Sequence, residues 1–221
     1  MIEVLYEDNH LLAVNKKPSD LSQGDATGDS SLDSEIKAYL SKKYNKPGEV
    51  FLGVVHRLDR PVGGVILYAR TSKALRRLNE MFRTREIRKT YLAIVGDRPP
   101  DDEATITHFL KKNERQNKAY VYDNEVKGSL KASLGYKLAG RSERYFLLEI
   151  ELHSGRHHQI RAQLAKIGCP VKGDLKYGYP RSNSDGSINL FARKLEMIHP
   201  VKKEKIRMAT AVRKAKRSPP R

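Results

Sequence analysis

The sequence predicts an α+β protein: a large mixed, mostly antiparallel β-sheet with flanking helices. Three observations predict it. Short β-forming runs near residues 104–110, 118–123, 130–139 and 144–152 follow one another across short connections, as antiparallel neighbours do. Helical periodicity is confined to three stretches, each with its own start or stop signal. The 221 residues are 38% hydrophobic and 31% charged, which suits one cored domain, alone or with a tail.

In chain order, residues 2–6 and 11–15 read as two strands joined by the turn-forming Glu7-Asp8-Asn9-His10. Lys16-Lys17-Pro18 ends the second, and residues 18–30, rich in Ser, Asp and Gly, read as loop. A helix is expected from about Ser31 to Tyr44, with Leu32, Ile36, Tyr39 and Leu40 at helical spacing and Ser30 or Ser31 as its cap. Pro47-Gly48 breaks it. Thr71 or Ser72 caps a second helix over about 72–84, with Leu75, Leu78, Met81 and Phe82 on one face and Lys73, Arg76, Arg77 and Arg83 on the other. Residues 87–96 alternate as a strand. A third helix follows Gly155, with Ile160, Leu164 and Ile167 as its buried stripe and Gly168 then Pro170 as its stop. Residues 181–187 are rich in Ser, Asn and Gly and are expected to be mobile. Leu190–Ala192 and Leu195–Ile198 read as two strands, and residues 205–210 as a last one.

The net charge of +17 points to a phosphate backbone as partner. Residues 202–221 carry nine Lys and Arg against Glu204 alone, and the rest of the chain stays basic without them. Residues 211–221 lack an apolar pattern and are expected to be a disordered basic tail. No apolar run approaches a membrane span and the first residues do not read as a secretory signal. The one cysteine, Cys169, excludes an internal disulfide, in keeping with a cytoplasmic setting. A zinc site is not expected, because the sequence has neither a Cys pair nor His-Glu-x-x-His. Gly-x-Ser-x-Gly, Gly-x-Gly-x-x-Gly and P-loop patterns are absent, so no hydrolase elbow and no nucleotide cofactor are expected.

The stretch Val54–Arg70 organises the chain. His56-Arg57-Leu58-Asp59-Arg60 places one carboxylate among cations on a loop, and the glycine pair Gly63-Gly64 leads from it into an apolar strand. Arg57 and Arg60 beside Asp59 favour its ionised form. On spacing alone Asp59 reads more readily as a member of a structural ion pair than as a nucleophile or base.

This His-Arg-Leu-Asp stretch resembles the central motif of the RluA-type pseudouridine synthases. Further blocks resemble the same family in the same order. They are the opening Tyr6–Pro18, Lys89-Thr90-Tyr91 running to Gly96, Ser154-Gly155-Arg156-His157-His158-Gln159-Ile160-Arg161, Gly168–Asp174, and Leu195–Pro200. Val62-Gly63-Gly64 departs from the family's frequent Thr-Ser-Gly, and Lys16-Lys17-Pro18 has one lysine beyond the common Asn-Lys-Pro. The resemblance implies the catalytic fold of that family over residues 1–210, with no S4 domain ahead of it. It implies isomerisation of uridine to pseudouridine in structured RNA, rRNA or tRNA, at a loop or stem-loop, by a monomer that needs neither cofactor nor metal. Asp59 would be the catalytic carboxylate, Arg161 its partner, and Tyr91 the ring that stacks on the base. Arg57 would fill the gap left by a flipped nucleotide, and His56, Arg156 and Gln159 would touch RNA or shape the site. A non-catalytic RNA-binding protein of the same fold is the alternative.

Overall fold

The computed structural model describes residues 2–24 and 28–210, so the basic tail expected over 211–221 lies outside the described residues. The chain runs through β1 (Val4–Glu7), β2 (Leu11–Lys16), α1 (Leu32–Tyr44), β3 (Gly53–Val54), β4 (Gly63–Ala69) and α2 (Ser72–Arg83). It continues through β5 (Arg88–Val95), β6 (Glu103–Asn113), β7 (Lys118–Tyr122), β8 (Leu130–Arg141) and β9 (Phe146–Leu152). After α3 (Gln159–Lys166) come a single 3₁₀ turn at Leu175–Tyr177, then β10 (Leu190–Ile198) and β11 (Lys205–Ala209).

The strands form one sheet in the order β1-β2-β4-β10-β5-β9-β8-β6-β7, with β11 beside β10 and β3 beside β4. Every pairing is antiparallel except β4 with β10. The expected class, a mostly antiparallel sheet with flanking helices, is the one found. At the parallel seam Gly64 faces Ala192 with φ +119°, and a Cβ placed there would lie 2.2 Å from the Ala192 carbonyl oxygen. Only glycine lets the two backbones approach so closely.

The sheet is covered on both faces. On one, Ile160 and Leu164 of α3 and Ile36 and Leu40 of α1 pack with Tyr91, Leu148, Ile150 and Leu134. On the other, Ala74, Leu78 and Met81 of α2 pack with Val65, Leu67 and Leu195. Each such buried aliphatic side chain contributes about 1.5–3 kcal/mol. Helix α2 starts where a threonine cap predicts, with Thr71 Oγ1 accepting from the Ala74 amide at 3.2 Å. Ser31 sits at the start of α1 but makes no such bond; its hydroxyl turns to Asp33 at 2.5 Å and Ser34 at 3.0 Å.

One further expectation is corrected. Leu190–Ala192 and Leu195–Ile198 are one strand, because a bulge at Arg193 carries the pairing from Ala192↔Tyr91 to Lys194↔Thr90. Residues 181–187 form a loop bonded through Asn183. Its amide donates to Ser187 O and Asn189 Oδ1, both at 2.9 Å, and its Oδ1 accepts from Lys172 Nζ at 2.9 Å. Among the described residues no helix is long and apolar enough to cross a membrane.

Candidate active site

The loop between β3 and β4 is fixed by its neighbours before any charge is considered. Leu58 and Val62 are core residues, which turns the intervening Asp59 outward. Ser22 Oγ accepts from the Leu58 amide at 3.1 Å and donates to the Leu58 carbonyl at 2.8 Å. Tyr68, wholly buried, donates its hydroxyl to Ser22 O at 2.7 Å. Lys16 is wholly buried and ends among carbonyl oxygens: Val62 at 2.8 Å, Lys17 and Arg60 at 3.1 Å, and Asp59 at 3.4 Å. Burial lowers the Lys16 ammonium to about 8, against the pull of Asp20 and Asp59. An ammonium donates only to acceptors, so it gathers these carbonyls and sets the turn that displays Asp59.

The Asp59 carboxylate meets two groups from the α3 segment. Arg161 Nη1 lies 2.9 Å from Asp59 Oδ2, and His158 Nε2 lies 3.5 Å from the same oxygen. Arg161 is itself held from behind. Its Nε and Nη2 donate to the two oxygens of Asp174 at 2.7 and 2.9 Å, and its guanidinium lies over the Tyr177 ring, 5.1 Å from the centroid. Asp174 is 1% exposed and Arg161 5%, whereas the Asp59 side chain is 26% exposed. Burial opposes the charge on Arg161, but the bonds and charge of Asp174, and then Asp59, outweigh it and hold the guanidinium above its ordinary value. The bidentate fork leaves Arg161 one direction to point, toward Asp59.

His158 adopts a left-handed backbone, φ 51° and ψ 24°, at the start of α3, a conformation uncommon outside glycine. Its ring stacks on His157 with centroids 3.8 Å apart, and its Nδ1 is 3.0 Å from the Tyr177 hydroxyl. That hydroxyl accepts from the Ala119 amide at 2.8 Å, so its own proton is free for His158 Nδ1. The tautomer then carries its proton on Nε2, facing Asp59. Burial pulls His158 down to about 3 although Asp59 opposes this, so the ring is neutral at pH 7.

Tyr91 lies mid-sheet on β5, between Ala192 of β10 and Ile150 of β9, and is 8% exposed. Burial first, and then the charge of Asp59, raise its phenol well above the ordinary value. Among the described residues its hydroxyl has no hydrogen-bond partner.

The structure thus gathers Asp59, Arg161 and Tyr91 at one place. The other sequence candidates sit elsewhere. Arg60 does not serve Asp59: it donates to Ser19 O at 3.2 Å and pairs with Asp29 at 2.9 Å. Arg57 is exposed and, among the described residues, forms no ion pair with Asp59. The ion-pair partner expected of the flanking arginines is Arg161 instead. Gln159, a candidate RNA contact, is 3% exposed and spent as a staple: its Oε1 accepts from Ser154 Oγ and the Arg156 amide, and its Nε2 donates to Ser133 O. His56, another candidate, accepts from the Leu67 amide at 3.0 Å and stacks on Phe82. Burial lowers it to about 3, and its bond to Leu67 and its stack on Phe82 brace the loop, in keeping with a residue that shapes the site. Arg156 is half-buried, with Nε donating to Lys131 O at 3.2 Å. Sequence reading missed Lys16, His158, Asp174 and Tyr177 as site residues. Asp174 stood in a block with a familial pattern, and a lysine closing the apolar run Leu11–Val14 was the available hint of burial.

Two neutral histidines have a consequence for stability. His56 and His158 have folded values depressed from 6.5 to about 3, so between those values the unfolded chain binds protons that the native one does not. Stability therefore falls as pH drops through this window, by up to about 1.4 kcal/mol per pH unit for each group. Urea unfolding at pH 6.5 and at pH 5, above the main carboxylate range, is expected to show a lower midpoint at pH 5. Equal midpoints would contradict it.

Residues 10–166 match the model of the RNA pseudouridylate synthase family, a span that includes Asp59, Tyr91, His158 and Arg161. The chain belongs to this family. Its relatives include tRNA pseudouridine synthase C of Salmonella typhimurium, 33% identical over 218 residues, which cover 90% of this chain and 81% of the relative. The enzyme of that name from Pectobacterium carotovorum is 32% identical over 219 residues, covering 91% of this chain and 56% of the relative. Ribosomal large subunit pseudouridine synthase C of Rickettsia prowazekii is 33% identical over 175 residues, covering 79% of this chain. The chain spans 56% of the length of these last two relatives. Among solved structures, human RNA pseudouridylate synthase domain containing 4 superposes with a TM-score of 0.80 at 20% identity, over 95% of this chain and 88% of that one. That likeness shows the synthase fold. Asp174 and Tyr177, which orient Arg161 and His158, lie beyond the segment that the family model matches.

Proposed function

We propose that this protein isomerises uridine to pseudouridine within RNA, with Asp59 as the reacting carboxylate. One observation carries the reading. Asp59 is the solvent-reaching end of a buried Asp174–Arg161 pair, aimed by a guanidinium that has no other free direction. A carboxylate so fixed suits attack at C1′ or removal of a sugar proton. The bond between C1′ and N1 breaks, the uracil turns, and C5 bonds to C1′. C5 gives up its proton to solvent and N1 gains one, so product and substrate are isomers and no redox equivalent or ATP is consumed.

In this reading Tyr91, whose phenol is raised by burial and by the charge of Asp59, stacks on the turning base and receives or passes a proton. The uridine has to leave its stack to reach Asp59, at a cost of a few kcal/mol that is least in loops. Exposed Arg57, two residues before Asp59, is placed to fill the gap. The relatives' names support rRNA or tRNA as the substrate class, and the charge of +17 supports RNA over a free nucleoside. The lone buried thiol of Cys169 supports work in a reducing, cytoplasmic compartment, and Asp59, Arg161, Asp174 and Tyr91 all come from one chain, which supports a monomer. Incubation of the protein with RNA tritiated at uridine C5 is expected to release tritium while a denaturing gel shows the RNA intact. Binding without release on ribosomal and transfer RNA would favour the non-catalytic alternative.

A further inference from the structure

The face of β6, β7 and β8 that points away from α3 carries an unusual exposed strip. Cross-strand partners share a face of a sheet, so register reads out its composition. Phe109 is opposite Tyr122 on one side and Lys131 on the other, and Lys111 is opposite Tyr120. Tyr120 and Tyr122 are 41% and 37% exposed, Lys111 and Lys131 are exposed, and Phe109 is half-buried. None of these lysines pairs with a carboxylate among the described residues. Further along the sheet the same face is different in kind: Glu103 pairs with Lys137, and Glu151 with Arg88.

The strip connects to the site. β7 is the edge strand, and Lys118 stands on it two residues before Tyr120. Its ammonium nevertheless reaches the Tyr177 ring, 5.3 Å from the centroid, and Tyr177 bonds the histidine that faces Asp59. Lys176 ties down the tip of the same hairpin through Asn117 O at 3.1 Å. A path of rings and cations therefore rounds the β7 edge toward Asp59.

We propose that this strip is a platform for single-stranded RNA, on which bases stack on Tyr120 and Tyr122 while Lys111, Lys131 and Lys118 follow the phosphates. Rings beside lysines that form no ion pair suit a polyanion with flat bases better than a protein surface. The proposal rests on the RNA reading above and extends it: the platform would hold the strand that flanks the target nucleotide.

The test uses the full chain and a short fluorescein-labelled oligoadenylate, followed by fluorescence anisotropy. Tyr120→Ala/Tyr122→Ala is expected to weaken binding at least about tenfold. Lys111→Gln/Lys131→Gln is expected to reduce the salt slope of log K by about 1.4. Phe51→Ala, which removes a ring 47% exposed elsewhere, serves as the control and should bind as wild type does. Thermal unfolding identifies any variant that fails to fold, and the lysine pair then stands as the second test. Unchanged affinity in the tyrosine variant overturns the proposal. So does a wild-type dimer in sedimentation velocity that the tyrosine variant abolishes, since the strip would then be covered by a second copy. Oligoadenylate holds no uridine, so this result reads independently of tritium release.

Discussion

Arg161→Met is expected to destabilise the protein by about 3–5 kcal/mol, the usual cost of stranding a buried charge. The physical reason is Asp174 rather than Asp59. Asp174 is 1% exposed and both of its oxygens are spent on Arg161, so the variant leaves a carboxylate with no partner and no water. Asp59, 26% exposed, still reaches solvent. The double variant Arg161→Met/Asp174→Leu should therefore recover much of the lost stability, because an apolar pair can replace a buried ion pair at little cost. It should recover no activity, because nothing then aims Asp59. Arg161→Lys should also fail, since an ammonium cannot make the fork to Asp174 and point at Asp59 together. Urea unfolding of the single and double variants checks the first claim. A loss below about 1 kcal/mol in Arg161→Met would contradict it.

The second large effect is expected far from any charge. Gly64→Ala would put a methyl 2.2 Å from the Ala192 carbonyl oxygen and 2.6 Å from the Ala192 amide nitrogen, at a φ of +119°. Backbone strain of about 1–3 kcal/mol adds to a similar cost of overpacking. Neither neighbour is a flexible side chain, so β4 and β10 have to separate, and the loop that presents Asp59 enters β4 one residue earlier at Gly63. The loss is a large share of a typical total of about 5–15 kcal/mol. Gly168→Ala isolates the strain alone, since Gly168 has φ +83° and open space around it. Its denaturation midpoint should fall far less than that of Gly64→Ala. Equal shifts would show that the close approach at the seam carries no cost.

What could be read in the sequence follows from how local each signal is. Helix α2 announces itself within its own residues, through the Thr71 cap and the Leu78–Met81 stripe, and it was located to within a residue. The apolar run of β9 was equally plain. The bulge at Arg193 was not, because it is set by the partner strand and leaves no mark in the strand's own pattern. In the site, Asp59 and Arg161 are 102 residues apart, and no spacing rule joins them. Their pairing comes from resemblance to a family, whereas local charge points to Arg57 and Arg60, neither of which pairs with Asp59 among the described residues. For Gln159 and His56 the sequence leaves RNA contact and shaping of the site both open, since a polar residue's own identity does not say whether it ends in a staple. Lys16 is the converse case: a cation wholly buried because four carbonyls converge on it, each from the loop it holds or from next to it.

Asp59 is proposed as the reacting group, with Arg161 and Asp174 as its support. Asp59→Asn is nearly isosteric, and Asp59 contributes little to burial, so the variant should unfold close to the wild-type midpoint. Its rate of tritium release from RNA labelled at uridine C5 is the most direct measurement. A fall of at least about a thousandfold is expected, as for loss of a nucleophile, with RNA binding retained. Release at the wild-type rate by a folded Asp59→Asn protein would contradict it.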